Sequence, residues 1–409
     1  MQLYTVLRLD GMQPLDSRGC APSASAHPAR RFYVDQRLLD QAVTSRRCYA
    51  ASASQLDAQA RSQYLFELDV FDALAQHPLR TSEPTASSLS VLPILALASE
   101  YVGHCIGPDG NATSHIGRMR RVRQALYKAA WRAKGPFLYT CTCVMQHHYY
   151  GNGLMRMLEH LGPRLIQLVK EPNAKNTVTR SQIVVPYHSS PFFRVEATGA
   201  CEQRPNLAMF MGSVWTGTST GSRVRKHIRR VADAEPRVRF HKSHRRGAGC
   251  EEKKTCVKSI GVGPPAKAEM AREMRRSAFC LVPLGDSPAS SRLYDAIASL
   301  CVPVVIIDGP LLVPASPYWE HAVITFNATA FLRTSPSLIA RALHEQLERR
   351  HASLCRSLSA LRSDLRAECV LTRALAANLS GARGRTIEGV AATQVLHRHV
   401  PFSTLPVGQ

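Results

Sequence analysis

The chain has 409 residues, 45% hydrophobic and 20% charged, with no internal repeat and no excess of Gly or Pro. This excludes collagen-like, solenoid and disordered chains and leaves room for two ordinary domains and a tail. Lys and Arg outnumber Asp and Glu by 52 to 30, a formal charge of +22, so the surface suits polyanions: nucleic acid, acidic glycans, anionic lipid heads or nucleotide phosphates.

Residues 1–30 are rich in Pro, Ser, Ala and Arg without a period and read as disordered or a leader remnant. Met1 to Asp10 lacks the apolar stretch of a secretory signal, and no apolar run reaches the roughly 18 residues of a spanning helix. The expectation is an intracellular soluble protein or a chain without its natural anchor. Twelve Cys and the sequons at Asn111, Asn327 and Asn378 permit an oxidising lumen instead. Cys250 and Cys256 bracket a polar loop and could pair, while Cys280 and Cys301 sit in apolar runs and read as buried thiols.

A first domain is expected over residues 31–195. Arg31 to Leu39 is read as a strand and turn. Gln63 to Gln76 is a helix by the spacing of Leu65, Leu68, Phe71 and Ala75, ended by His77-Pro78. Ser88 to Leu97 is a buried strand end around Pro93. Arg118 to Ala133 is a basic helix with Val122, Leu126 and Ala130 on one face. Gly135 to Val144 is strand-like, Leu154 to Leu161 a short helix, and Ile183 to Pro186 a closing strand.

A second domain is expected over residues 196–335, where strand and helix alternate. Strands are read at Leu207–Gly212, Val238–His241, Ala278–Pro283, Val302–Ile307 and Val323–Phe326, and helices at Arg223–Ala232, Ala266–Arg276 and Ser291–Leu300. A polar loop covers Ser243–Gly263. The strands are continuous apolar runs, as in a parallel sheet covered on both faces. Residues 336–409 are expected to form a helical tail, with Leu354, Leu358, Leu361 and Leu365 as a stripe packed on the body.

The stretch Phe279-Cys280-Leu281-Val282-Pro283-Leu284-Gly285-Asp286-Ser287-Pro288-Ala289-Ser290-Ser291-Arg292-Leu293-Tyr294-Asp295 carries the chemistry. A buried strand ends at Pro283, and Gly285 permits a turn with positive φ. Ser290 or Ser291 is placed to cap the following helix. Loops at strand C-termini form the ligand crevice of a parallel sheet, and free N–H groups at a helix start suit a diphosphate. Arg292, in the first turn, is disfavoured by the helix dipole unless a bound anion pairs with it. Asp295, one turn on, can accept from ribose hydroxyls. The plainer alternative is a strand–turn–helix with Arg292 and Asp295 as an i,i+3 surface pair.

This stretch, continuing without a gap through Cys301-Val302-Pro303-Val304 to Asp308, resembles the signature of the exostosin family of glycosyltransferases, especially its plant-type members. Arg204-Pro-Asn-Leu207 to Gly212, Arg225-Lys-His-Ile228, Tyr64-x-x-Glu67, Arg80-Thr81 and Ile183 to Tyr187 resemble further family segments. Leu300 stands where family members usually have Gly. The resemblance implies a GT-B fold: two Rossmann-like domains facing across a cleft. It further implies a nucleotide-sugar donor, usually a UDP-sugar, inversion at the anomeric carbon, no bound metal and a Golgi or other secretory lumen. The UDP-sugar is a substrate, so no cofactor is expected.

Within that resemblance the donor contacts are expected at Gly212, Arg225, Gly285, Ser290, Ser291, Arg292 and Asp295. Arg292 and Arg225 would stabilise the diphosphate as charge builds on it, Gly212 would let the chain pass close to the ligand, Ser290 would bond phosphate and Asp295 the ribose. The acceptor would be a glycan or glycoprotein, with an acidic polysaccharide suited by the net charge. The general base is drawn from Glu67, Asp69, His104, His147 and His148, with none singled out.

Three other readings compete. Arg223 to Arg246 carries 10 basic and 2 acidic residues in 24 positions, which could track a phosphate backbone. Its aromatic interleaving is Phe240 alone, so no nucleic-acid partner is expected. Cys141, Cys143, His147 and His148 supply metal-ligand types at a non-standard spacing. A family relative that binds glycans without transferring them is the third.

Overall fold

The computed structural model describes residues 31–372 apart from 59–64, 107–109, 111, 131–135, 141–153, 155–156, 159, 162–163, 170–181, 195–200, 202, 215–217, 243–263, 286–289 and 310, together with 393–395. The Cys250–Cys256 pair, the Cys141–His148 cluster, the loop Ser243–Gly263 and the sequon residues Asn111 and Asn378 lie outside the described residues.

The first unit is an all-parallel sheet of β1 (Phe32–Tyr33), β2 (Arg80–Thr81), β3 (Leu89–Leu92), β6 (Phe137–Tyr139), β7 (Leu165–Val169) and β8 (Gln182–Val184), in the order β2-β1-β3-β6-β7-β8. Its helices are α1 (Gln36–Ala58), α2 (Phe66–Gln76), α3 (Ala96–Val102) and α4 (His115–Ala130), and a hairpin of β4 (His104–Ile106) and β5 (Ala112–Ser114) lies beside α4. The sequence reading missed α1. Its buried face runs Leu38, Ala42, Ser45, Tyr49, and two small residues in that row blunt the apolar period. It also missed β7. Helices α2 and α4 stand where expected, with Val122 and Leu126 buried and His77 ending α2.

The second unit is a parallel sheet of β9 (Asn206–Gly212), β10 (Val238–Lys242), β11 (Ser277–Pro283), β12 (Val302–Ile306) and β14 (Ile324–Phe326), in the order β10-β9-β11-β12-β14. All residues of β11 and β12 are buried, which is why their sequences are unbroken apolar runs. The helices are α5 (Ser219–Ala234), α6 (Pro264–Arg275), α7 (Ser291–Ala298), the short α8 (Trp319–Ala322) and α9 (Ala328–Arg333). Chain order reverses between β9 and β11, because β10 lies outside β9 and β11 on its other side. That is the topological switch point of a doubly wound sheet, and ligands bind beyond its C-terminal end.

Helix α10 (Pro336–Asp364) packs Leu354, Leu358 and Leu361 into the core of the second unit, and Leu365, its C-cap, joins them, as the stripe predicted. The chain then crosses back, and Ala367, Val370 and Leu371 join the core of the first unit. The tail is not helical throughout. Strand β15 (Thr393–Val395) pairs antiparallel with β13 (Leu311–Val313).

Among the described residues, disulfides join Cys48 to Cys105, Cys201 to Cys355, and Cys280 to Cys301. The reading of Cys280 and Cys301 as free thiols is therefore corrected. Both are buried, but β11 and β12 are parallel neighbours with Cys280 opposite Pro303, which leaves the two Cα atoms 5.7 Å apart.

Candidate functional site

The C-terminal ends of β9 and β11 open at the switch point, and the N-termini of α5 and α7 converge there. Thr218 caps α5 by accepting from the Gly221 N–H, and its hydroxyl donates to the Gly285 carbonyl at 3.3 Å. This one side chain ties the α5 entry to the loop that follows β11. Arg225, two turns into α5, makes a second tie. Its guanidinium donates to the Ser213 carbonyl at 2.8 Å and the Leu284 carbonyl at 3.2 Å. It lies 5.9 Å from the Phe210 ring centroid, and Phe210 stacks on Phe240. Gly212 ends β9. A Cβ there would come within 3.1 Å of the Phe210 ring, so the glycine leaves room for the ring beneath Arg225.

Ser290 caps α7, accepting from the Arg292 N–H at 3.3 Å, and Ser291 is the first helical residue. Among the described glycines, positive φ falls at Gly103, Gly110 and Gly309 rather than at Gly285, so the turn at Gly285 does not use the left-handed region. Arg292 donates to Asp295 at 2.6 Å, the i,i+3 pair of the plainer alternative. The pair is asymmetric: the Asp295 side chain is 7% exposed and that of Arg292 39%. Burial pushes the Asp295 carboxyl up from its ordinary range, and Arg292, Lys267 and His188 offset part of that rise. The Oδ1 atom of Asp295 takes no hydrogen bond from a described residue, and Arg292 presents donors beyond the one given to Asp295.

The end of α7 explains a departure in the sequence. The Leu300 N–H donates to the Ile297 carbonyl and the Cys301 N–H to the Ala296 carbonyl, which is the hydrogen-bond pattern of a Schellman motif. Leu300 occupies its left-handed position at φ 52°. Glycine suits that position because it has no Cβ to clash. Here the side chain is instead buried in the core.

The first unit contributes at the same end. The N-terminal turn of α2 carries Glu67 and Asp69. Glu67 is fully buried and accepts the Ala98 N–H at 2.8 Å, capping α3, whose own cap residue Leu95 has no side-chain acceptor. Asp69 faces the linker: its Oδ2 lies 2.6 Å from His188 Nδ1 and its Oδ1 accepts from Arg194 at 3.4 Å. The neighbouring Tyr187 ring packs 5.8 Å from that of Tyr294 on α7. Thus the linker after β8 touches α2 on one side and the Arg292–Asp295 turn on the other. Of the other proposed bases, His104 is exposed on the β4–β5 hairpin, and His147 and His148 lie outside the described residues.

Sequence reasoning missed Thr218 and His188, and read Tyr187 as part of a family-like strand rather than as a site contact. A Thr three residues before Gly221 was a legible cap; nothing local marked His188.

Arg204 lies away from the crevice. It is 8% exposed and donates to the carbonyls of Met274, Ser277 and Ser299, at the ends of α6 and α7 and the start of β11. Burial, with Arg275 nearby, pulls it down to about 10. Among the described residues Cys201, His351 and Cys355 bring metal-ligand types together, but both sulfurs are in the disulfide and are not thiolates. Arg223, Lys226, Arg229 and Arg230 form the solvated face of α5, opposite buried Val224, Ile228 and Val231.

Two parallel, helix-covered sheets whose C-terminal ends meet at one linker make this an α/β protein of the GT-B class. Residues 28–332 match the exostosin GT47 domain, and the chain belongs to that family. It is 31% identical over 127 residues to the "Probable arabinosyltransferase ARAD1" of Arabidopsis thaliana, covering 31% of this chain and 24% of that relative. It is 46% identical over 54 residues to the "Probable glucuronoxylan glucuronosyltransferase IRX7" of the same plant, covering 13% and 12%. The chain therefore matches a quarter or less of the length of these relatives. Among solved structures, the glycotransferase of kitacinnamycin aligns with a TM-score of 0.33 at 13% identity, covering 86% of this chain and 97% of that one.

Proposed function

We propose that the protein transfers a sugar from a UDP-sugar to a glycan or glycoprotein acceptor, with inversion at the anomeric carbon, in the Golgi or another secretory lumen. Membership of the exostosin family and the transferase names of its relatives support a glycosyltransferase of polysaccharide biosynthesis. The observation that carries the donor site is the pairing of two helix N-termini at the switch point, bridged by Thr218 and Arg225. Such a crevice sets the positive ends of two helix dipoles and nearby cations against a diphosphate. The disulfides suit an oxidising compartment, and no helix among the described residues is long and apolar enough to cross a membrane.

In this reading Arg292, oriented by Asp295, neutralises the leaving diphosphate, and the Ser290 and Ser291 hydroxyls bond its oxygens. Asp295 Oδ1 receives the ribose. Arg225 and Gly212 set the floor of the crevice, and the Gly285 carbonyl, held by Thr218, fixes the second wall. Protein cations stabilise the leaving group directly, which supports transfer without a metal. A basic surface favours an acidic polysaccharide acceptor.

Calorimetric titration with UDP, in EDTA and then with Mg²⁺, tests this. Saturable binding in EDTA is expected, weakened about tenfold or more in Arg292→Ala, the loss of a charge-assisted contact worth about 1.5–3 kcal/mol. Folded protein that binds no UDP in either buffer removes the donor reading. UDP binding with no transfer to any glycan acceptor moves it to a glycan-binding relative.

A further inference from the structure

The pair formed by Asp69 and His188 has a geometry that packing alone does not require. Asp69 projects from the first turns of α2, and His188 sits four residues beyond β8, where the chain leaves the first sheet. His188 Nδ1 and Asp69 Oδ2 are 2.6 Å apart, with side chains 13% and 24% exposed. The opposite ring nitrogen, Nε2, takes no hydrogen bond from a described residue. A carboxylate on Nδ1 fixes the ring's tautomer and leaves Nε2 with a lone pair. Two residues on, Ser190 is 4% exposed, and its hydroxyl has no partner among the described residues.

The placement is specific. Tyr187, the residue before His188, packs on Tyr294, the residue before Asp295 on α7. The dyad therefore stands between the acceptor-side unit and the turn that carries Arg292. The charged groups around it are Asp69 on α2, Arg194 after the linker, Arg292 and Asp295 on α7, and Lys267 on α6.

We propose that His188, oriented by Asp69, is the general base that activates the acceptor hydroxyl, an inference that rests on the transferase reading above. The Nε2 lone pair takes the hydroxyl proton as the acceptor oxygen bonds to the anomeric carbon. The bond from that carbon to the diphosphate oxygen breaks on the opposite face, and its electron pair leaves with UDP. The imidazolium so formed is held by the Asp69 carboxylate and returns its proton to water after product release. The cations on α7 stabilise the departing charge on the other side of the sugar, so base and leaving-group contacts come from different units.

The experiment compares wild type, His188→Ala and Asp69→Asn for UDP binding by calorimetry and for transfer with a panel of UDP-sugars and glycan acceptors. UDP affinity is expected to stay within about twofold in both variants, which also shows that they fold. His188→Ala is expected to lose about 10²–10⁴-fold in kcat with little change in KM, the size of a general-base contribution. Asp69→Asn is expected to lose less. The acid limb of the wild-type pH–rate profile should disappear in His188→Ala, and added imidazole should restore part of its rate. A merely structural role moves KM and stability and gives no imidazole rescue. Wild-type transfer matched by His188→Ala overturns the dyad alone. A wild-type protein that neither binds UDP nor transfers overturns the donor reading and the dyad with it.

Discussion

The two parallel sheets solve one problem with very different strands. In the second unit β9 and β11 are seven residues each and β10 and β12 five, whereas β1 and β2 of the first unit have two residues each and β3 four. Long buried strands announce themselves as apolar runs. Short ones leave the core to helices and connecting segments. Yet each unit has a deeply buried arginine satisfying three carbonyls. Arg118 donates to Ser99, Gly103 and Thr113, and Arg204 to Met274, Ser277 and Ser299. Burial holds both at about 10. A cation suits carbonyls at helix C-termini, where the dipole is negative. Arg204, although it opens a stretch resembling the family, thus stabilises the end of the sheet opposite the ligand crevice.

That equivalence can be broken. Arg204→Met and Arg118→Met are each expected to cost about 3–5 kcal/mol, since buried carbonyls lose their partners, read as a shift in denaturation midpoint. A cost under about 1 kcal/mol for either would show that its carbonyls find other donors. The Schellman position at Leu300 sharpens the contrast between local strain and burial. Leu300→Gly relieves a left-handed side chain, a gain of about 1–2 kcal/mol, but empties a core position that costs about 2–5 kcal/mol. Net destabilisation of about 1–3 kcal/mol is expected by chemical denaturation, and a more stable variant would mean that strain dominates. The smallest effect lies where α5 meets α10. The Arg237 N–H and His344 hold the Glu235 carboxyl below its ordinary 4.5. Its contribution is present above that value and lost as pH falls through the lowered one. Glu235→Gln should cost a few tenths of a kcal/mol at neutral pH, and the gap to wild type should close on acidification.

The second unit was legible because its signals are local: β-branched runs at Val302–Ile306, a Ser cap at 290 and helical spacing through Leu354, Leu358 and Leu361. The first unit was less so. Ala42 and Ser45 face inward on α1, and small residues do not register as an apolar stripe. Within the site, Ser290, Ser291, Arg292 and Asp295 lie on one turn and were read together. The pairing of Asp69 with His188 spans 119 residues, and no periodicity reports a contact made by the closing of a whole sheet. Burial also altered the character of residues correctly placed: Asp295 reads as a surface partner of Arg292, but only the arginine is substantially exposed.

The bond between Cys201 and Cys355 makes the second unit a covalent ring. Every strand of its parallel sheet lies inside, from Asn206 at the start of β9 to Phe326 at the end of β14. A protease cutting once anywhere between the two cysteines opens the circle without releasing a fragment. Nicked protein would keep its mass under non-reducing conditions and separate into two pieces only when a reductant is added.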